Sequence, residues 1–518
     1  MLNWMGTQKT ADGMALLRDP HDVIAALPTD DPVAAVMQIT EALDAINGSD
    51  TLTLEERYDD IYLLDAATVE LTRLLLREYL QTSRQTKQRE NELWTGAYSC
   101  WNELATAYAI CAQLYAADPA AAAGFRKPAR VAVARSIRAL RRQLQWLRLR
   151  YAAPVPAIWM GLANLYAYIE PENIDDEMLI YPGENSTIKR EFLKVLLQSA
   201  ISTENLQPPG QDLATFIVSR YASNFVLSKT QDVGCTHWFD LKHPQRPALG
   251  SRPPEPGADL RFIGAGEAVD TLCQMLTFIE DAGKVPPELG FTYPIDLEFL
   301  TPVLAQIHRD WSGKPQERQH ERKQSNARFT VVPGFTHIIA VLEHAEEDPF
   351  DFTEKSNAES WLANDVSAGG FGAVIPAVNA DWVSVGNVAG IENEAAGEWS
   401  VGMVRRVQLL DGGRQQIGVQ VLSRNAQAVR VMREDYAEEP LRITQRMPMD
   451  RAILLTANPT EQQEVELLVA DPLRYDEESS VHMSVGERVL SLQILDVVEK
   501  TDACARVRFS VIGIEADS

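Results

Sequence analysis

Apolar residues recur at helical spacing over most of the first half of the chain, from about Pro32 to Ser228. Good helix formers, mainly Ala, Leu, Glu, Gln and Arg, dominate this region. We therefore expect an all-α amino-terminal domain. The predicted helices are Pro32–Ile46, Glu55–Leu80, Trp94–Ala116, Pro128–Arg150, Ala157–Ile169, Ile188–Ile201 and Asp212–Leu227.

Between Gly234 and Lys314 the pattern is mixed, with a proline-rich run in the middle. It predicts a connector or small subdomain with two short strands and two helices. The predicted strands are His237–Leu241 and Leu260–Ile263, and the predicted helices are Ala268–Asp281 and Leu297–Trp311.

From Phe329 onward the runs become strand-like, as in FTVVPGFTHIIAVL, WVSVGNVAGI, WSVGMVRRVQLL and RQQIGVQVL. Turn-prone DGG and SRN segments separate them, which indicates an antiparallel barrel or sandwich. The last stretch, Ala452 to Ile514, either extends that barrel or forms a small companion sheet. The predicted fold class is α+β multidomain, an all-α domain followed by an antiparallel β-barrel with a β extension.

The expected domains are a helical domain at 1–230, a mixed connector at 231–317, a β-barrel at 318–435 and a β extension at 436–518. The length of 518 residues is compatible with several domains.

The chain is strongly acidic, with 73 Asp and Glu against 48 Lys and Arg and a formal net charge of -25. This charge repels polyanions and disfavours a general affinity for nucleic acids or anionic membranes. It leaves room for a local basic pocket.

Three features favour a cytoplasmic location. The five cysteines are thinly spread, which indicates reduced thiols. The first residues lack the pattern of a secretory signal. The longest uncharged stretch, Tyr151 to Ile169, contains two prolines and predicts a buried helix rather than a membrane span.

The segment NDVSAGGFGAVI contains the most informative polar group. Asp365 and Ser367 are two residues apart, so both should point to one face of a strand. Gly369 and Gly370 follow at once and allow a planar ligand to approach the backbone. Upstream, Arg318 and Arg322 are four residues apart, just before the first β run.

This set of side chains suits a guanine nucleotide. An arginine guanidinium matches phosphate oxygens or guanine O6 and N7, and it also stacks on bases. The Asp365 carboxylate accepts hydrogen bonds from guanine N–H groups, with the Ser367 hydroxyl as a neutral partner.

These residues resemble the PilZ domain family of bacterial cyclic di-GMP receptors. The family pattern is RxxxR before a β-barrel, then [D/N]xSxxG on an early strand. Arg318 and Arg322 fit the first part, and Asp365, Ser367 and Gly370 fit the second.

The later strands continue the resemblance, which covers about Arg318 to Val431. VGMVRRV at Val401 to Val407 and IGVQVL at Ile417 to Leu422 are similar to family strands. The resemblance implies a six-stranded barrel that clamps cyclic di-GMP, commonly as an intercalated dimer, between an arginine arm and the barrel face.

The sequence departs from the family pattern in two places. There are 42 residues between Arg322 and Asp365, including an acidic stretch that indicates an insertion or a long loop. Glu317 stands where the family often has a further Arg. RxxxR also recurs elsewhere in this chain, and Asp365 and Ser367 could instead cap a bend, with the Gly pair forming a bulge.

Two further groups have competing interpretations. The segment Arg126 to Arg150 carries nine basic and no acidic residues. It is either a basic contact helix or, the favoured interpretation, a bundle helix whose arginines pair with acidic side chains.

Cys235, His237 and His243 lie close together, but a structural zinc site needs a fourth ligand, so we predict no metal site.

The sequence therefore predicts a non-catalytic cytoplasmic receptor that couples cyclic di-GMP to a protein partner through the helical domain, with no cofactor. No phosphate loop, HExxH or GxSxG motif indicates an enzyme. The alternative is a nucleotide-independent adaptor or chaperone-like scaffold with a degenerate PilZ barrel. A third, weaker option is nucleic-acid binding through the basic helix.

Overall fold

The computed structural model describes most of the chain in two compact units. The units comprise Met1–Thr203 with Pro208–Gln316, and Glu204–Gln207 with Glu317–Ser518. The described residues are 17–82, 87–120, 122–181, 184–232, 234–250, 255, 257–314, 321–347, 358–377, 382–393, 398–410, 412–433, 450–470, 480–486, 488–501 and 504–516.

The first unit is mainly helical, as predicted. Its helices agree with the sequence prediction to within a few residues at most ends, and a short helix precedes them. They are α1 Pro20–Ala25, α2 Pro32–Gly48, α3 Leu54–Gln81, α4 Lys87–Ala117, α5 Arg126–Leu149, α6 Pro156–Ile169, α7 Ile188–Ala200, α8 Pro208–Tyr221, α9 Ala268–Ala282 and α10 Leu297–Trp311.

Local signals explain where several helices begin. The Asp31 carboxylate accepts hydrogen bonds from the first free amides of α2, at 3.1 Å each, and Pro32 occupies the first turn. Thr53 and Glu56 form a reciprocal capping box at the start of α3. Both starts are set by short-range sequence.

The segment predicted as a connector packs within the helical unit. It supplies α9, α10 and most of a four-stranded sheet in the order β3-β6-β4-β5. A separate hairpin, β1-β2, precedes α7 and was not predicted. The strands are β1 Leu179–Tyr181, β2 Glu184–Ser186, β3 Val226–Ser228, β4 Cys235–Asp240, β5 Ala248–Leu249 and β6 Leu260–Gly264.

Helix α5, the basic segment, is largely buried among the other helices. Arg135 is 2% exposed and pairs with the fully buried Asp65, which also accepts a 2.7 Å hydrogen bond from the Tyr108 hydroxyl. Arg141 lies 3.9 Å from the buried Glu191. The interpretation as a bundle helix with paired arginines is confirmed, and its buried arginines are not a contact surface.

The second unit begins with a closed ring of six strands. The sheet order is β10-β13-β12-β11-β8-β9-β7, and β9 also pairs with β10, which closes the ring. The strands are β7 Lys323–Gln324, β8 Arg328–Pro333, β9 Glu359–Ser367, β10 Gly370–Pro376, β11 Val388–Asn393, β12 Trp399–Leu410 and β13 Arg414–Ser423. The predicted antiparallel barrel is therefore present.

One predicted β run is half helix. FTVVPGFTHIIAVL forms β8 and then, after Gly334 at a φ of +85°, helix α11 at Phe335–Glu347. Ile338, Ile339 and Leu342 lie on one side of α11 and are buried in an apolar cluster. These residues are one, three and four positions apart, which is typical of a helix. In the sequence they follow a strand-like run directly, and the whole stretch therefore looks like β structure.

A second closed barrel, in the order β14-β15-β16-β19-β18-β17, follows the first. The final β stretch, predicted as a β extension or a companion sheet, thus closes into a barrel of its own. Among the described residues, Gln427–Arg433 pairs with two strands of this barrel and with none of the first, so the last strand of the first barrel ends at Ser423 instead of near residue 435. The strands are β14 Gln427–Arg433, β15 Asp450–Leu454, β16 Glu464–Val469, β17 Ser480–Val485, β18 Arg488–Lys500 and β19 Ala505–Ala516.

No helix among the described residues combines the length and apolar character needed to cross a bilayer.

All five cysteines are free thiols, and Cys100, Cys111 and Cys504 are buried. Burial raises the pKa of the Cys100 and Cys111 thiols to about 12.

The buried Asp65–Arg135 pair should be essential for the helical unit. Asp65→Asn keeps the side-chain shape but leaves the Arg135 guanidinium without its countercharge, which should lower the unfolding free energy by about 3–5 kcal/mol. Denaturant unfolding measures this loss. Glu70→Gln is the control, because its pair with Arg73 is exposed and should contribute little. Equal midpoints for the two variants would contradict the prediction.

The buried His237 should make the first unit sensitive to mild acid. Burial, with a contribution from Arg246, lowers its pKa from 6.5 to about 4. Between these values the unfolded chain binds a proton that the folded chain does not, so the unfolding free energy falls as pH drops from 6.5 towards 4. His237→Gln should flatten the dependence of the melting temperature on pH in this window. An unchanged slope would show that other groups control it.

Candidate functional site

Asp365 and Ser367 lie on the outer surface of the first barrel, near the end of β9. Asp365 is opposite Gly372 of β10, and Ser367 is opposite Gly370. Phe371, between the two glycines, is 4% exposed and stacks on Phe329 at 4.6 Å. Since alternate strand residues point to opposite faces, Gly372 lies on the outer face of β10 with Asp365, whose carboxylate covers it. The prediction that Asp365 and Ser367 share a face is confirmed.

A bulge creates this arrangement. The partner of Gly372 is Asp365, but the partner of the next residue, Ala373, is Ala363. Asn364 is therefore an extra residue, and the alternation of β9 shifts at this point. Ala363 is fully buried, whereas the Asp365 side chain is 26% exposed. Without the extra residue Asp365 would point the same way as Ala363.

Arg322 is brought to Asp365 by the short strand β7. Gln324, two residues later, pairs with Asp365 on the free side of β9. The Arg322 Nη1 atom donates a 3.0 Å hydrogen bond to Asp365 Oδ1, and 48% of the Arg322 side chain is exposed. Two predicted site residues with 42 residues between them thus form an ion pair that solvent reaches.

Arg318 and Glu317 lie outside the described residues. The first part of the acidic stretch between Arg322 and Asp365 is helical, since α11 extends to Glu347. Residues 348–357 are also outside the described part.

Gly370 allows β13 to lie close to β10. A Cβ at this position would lie 2.0 Å from the carbonyl oxygen of Val419 on β13, so only glycine allows the two strands to approach. The Ser367 hydroxyl donates a 3.2 Å hydrogen bond to the Gly370 carbonyl oxygen. This contact fixes the tight turn between β9 and β10.

Two further glycines belong to the same surface and were not predicted as site residues. Gly372 pairs with Gly418 of β13, next to the Gly370–Gln420 pair. The Asp365 carboxylate lies over Gly372, 2.9 Å from where a Cβ would stand. We call Gly370, Gly372 and Gly418 the glycine shelf. The GFG spacing was the sequence signal for it, but the pairing with Gly418 depends on the register of β10 and β13.

Cys235, His237 and His243 are not grouped as metal ligands would be. The buried His237 ring contacts the Thr236 hydroxyl at 3.1 Å, while the exposed His243 contacts Asp240 at 3.2 Å. Within the described ranges, no group of three or more His, Cys, Asp or Glu side chains could hold a metal ion.

The similarity to known proteins lies in the helical part of the chain. Residues 18–231 match the family model described as the N-terminal domain of the cyclic-di-GMP receptor FimW. The match covers less than half of the chain and ends before the first barrel. No curated protein and no solved structure matches the chain.

The close approach at Gly370 predicts a stability effect. Gly370→Ala forces β10 and β13 apart and should destabilise the barrel by about 1–3 kcal/mol. Thermal melting followed by tryptophan fluorescence measures this, because Trp361 and Trp382 stack in this barrel. Gly513→Ala in the second barrel is the control, since its nearest neighbour atom is at 3.6 Å. Similar melting of both variants would disprove the steric explanation.

Proposed function

We propose that this protein is a non-catalytic cytoplasmic receptor for cyclic di-GMP and that the first barrel is a PilZ-type binding domain. The observation that carries the proposal is the cluster of Arg322, Asp365 and Ser367 beside the glycine shelf. The similarity of residues 18–231 to the N-terminal domain of a cyclic-di-GMP receptor supports the same ligand independently, because it involves a different part of the chain.

The cluster has the chemistry that a guanine nucleotide requires. The Asp365 carboxylate can accept hydrogen bonds from the guanine N1 and N2 groups, and Ser367 adds a neutral donor and acceptor. The Arg322 guanidinium can hold a phosphate or stack on a base. Gly370 and Gly372 of the glycine shelf are buried, and the Asp365 carboxylate covers Gly372, so a flat base would reach this part of the barrel only when Asp365 moves.

Binding would rearrange the Arg322–Asp365 ion pair. In the free protein each group satisfies the other, but an ion pair this exposed contributes about 0–1 kcal/mol and is easily replaced. A ligand that offers a phosphate to Arg322 and a guanine edge to Asp365 would satisfy both separately. We propose that the arginine segment, with Arg318, folds over the ligand and changes the surface presented to a protein partner.

The same ion pair also suits a rival function. If Arg322 and Asp365 serve only to hold β7 against β9, the barrel would be a nucleotide-independent scaffold, and the helical domain would bind an unidentified partner. Titration with the nucleotide separates the two functions.

Calorimetric titration of the full chain with cyclic di-GMP tests the proposal. We expect saturable binding, with no binding of GTP or cyclic di-AMP at the same concentrations. Arg322→Ala and Asp365→Ala each remove a charged hydrogen-bonding group and should weaken binding about 10- to 100-fold.

Arg414→Ala is the matched control, because Arg414 is an exposed arginine of the same barrel at the start of β13. It should bind as the native chain does. Absence of heat and of any melting shift in the native chain at high ligand concentration would leave the scaffold as the function.

A further inference from the structure

The glycine shelf continues across the barrel to a second pair of positive side chains. Asp365 pairs with Gly372, Gly372 with Gly418, and Gly418 with Arg406 of β12. These four residues form one row on the outer surface. With roughly 4.8 Å between neighbouring strands, the row spans about 14 Å.

A second bulge turns two adjacent arginines outward at the far end of this row. Val404 pairs with Val419 and Arg406 with Gly418, so Arg405 is the extra residue. Val404 is fully buried, whereas the Arg405 and Arg406 side chains are 33% and 46% exposed. A bulge that places two residues opposite one lets both side chains leave from the same face.

The two arginines differ in how firmly they are held. Arg405 donates a 2.7 Å hydrogen bond to Gln420 and binds Glu499 of the second barrel through both terminal nitrogens. Arg406 donates a 3.2 Å hydrogen bond to Gln408. The carboxylate of Glu204, which belongs to the same unit, is 3.8 Å away, near the limit for an ion pair.

We propose that Arg406 is a further ligand-binding residue, which holds the part of the cyclic dinucleotide farthest from Asp365. This inference rests on the proposed function. The row has a cation at each end, Arg322 beside Asp365 and Arg406 beside Gly418. Its middle consists of the half-buried Gly418 and of Gly372, which the Asp365 carboxylate covers until Asp365 turns to a ligand. A ligand with two phosphates and two bases can engage both ends, whereas a mononucleotide engages one.

Gly418 lies directly beside Arg406 on the neighbouring strand. A Cβ at Gly418 would stand 3.3 Å from the Arg406 Cβ, closer than usual contact. A larger side chain there would both cover the shelf and displace Arg406, so Gly418→Val should weaken binding as well.

The test is calorimetric titration of the full chain with cyclic di-GMP, using Arg406→Ala, Arg322→Ala and Arg414→Ala. Loss of one charged hydrogen-bonding group should weaken binding of Arg406→Ala about 10- to 100-fold. Arg406→Gln keeps most of the side-chain length without the charge and should fall between the native chain and Arg406→Ala. Melting temperatures of all variants verify folding.

The outcomes separate this inference from the function on which it rests. If the native chain does not bind cyclic di-GMP, the proposed function fails and the inference fails with it. If the native chain binds, Arg322→Ala loses affinity, and Arg406→Ala binds as tightly as Arg414→Ala, then only the inference is wrong. Weakened binding by both Arg406 variants, with Arg414→Ala unchanged, supports it.

Discussion

The pairing of β9 with β10 is the constraint on which the candidate site depends. It closes the first barrel, and its register places Asp365 opposite Gly372 and Ser367 opposite Gly370. Because Asn364 is an extra residue, the polar side chains leave the barrel while the apolar ones before and after them stay inside. The site is therefore a consequence of barrel closure. A change in this register would move its functional groups to the wrong face.

The same constraint explains why glycine occupies the centre of the surface. Gly370 permits the close approach of β13, and Gly372 accommodates the Asp365 carboxylate. Both positions serve the packing of the barrel as well as the shape of its surface. Substitution of these glycines should therefore change both the stability of the barrel and the shape of the candidate site, so binding measurements on glycine variants must be compared with their melting temperatures.

The helical unit is stabilised in a different way, by buried ion pairs. Buried arginines of α5 are matched by buried acids such as Asp65, and burial of such pairs is favourable only when hydrogen bonds satisfy them. The excess of negative charge in the chain is thus partly used to neutralise a helix that looks strongly basic in isolation.

The sequence by itself determined the helices, the order of the helical and β parts, and the residue types of the site. Caps such as Asp31 and Thr53 and the 3.6-residue period are local, so they can be recognised without the fold. The tertiary structure decided what depends on distant pairing: the second closed barrel and the faces of the site residues. Strict alternation from the buried Ala363 would place Asp365 inside. Only the pairing of β9 with β10 creates the bulge that turns it outward, and a register between strands is not a property of either strand alone.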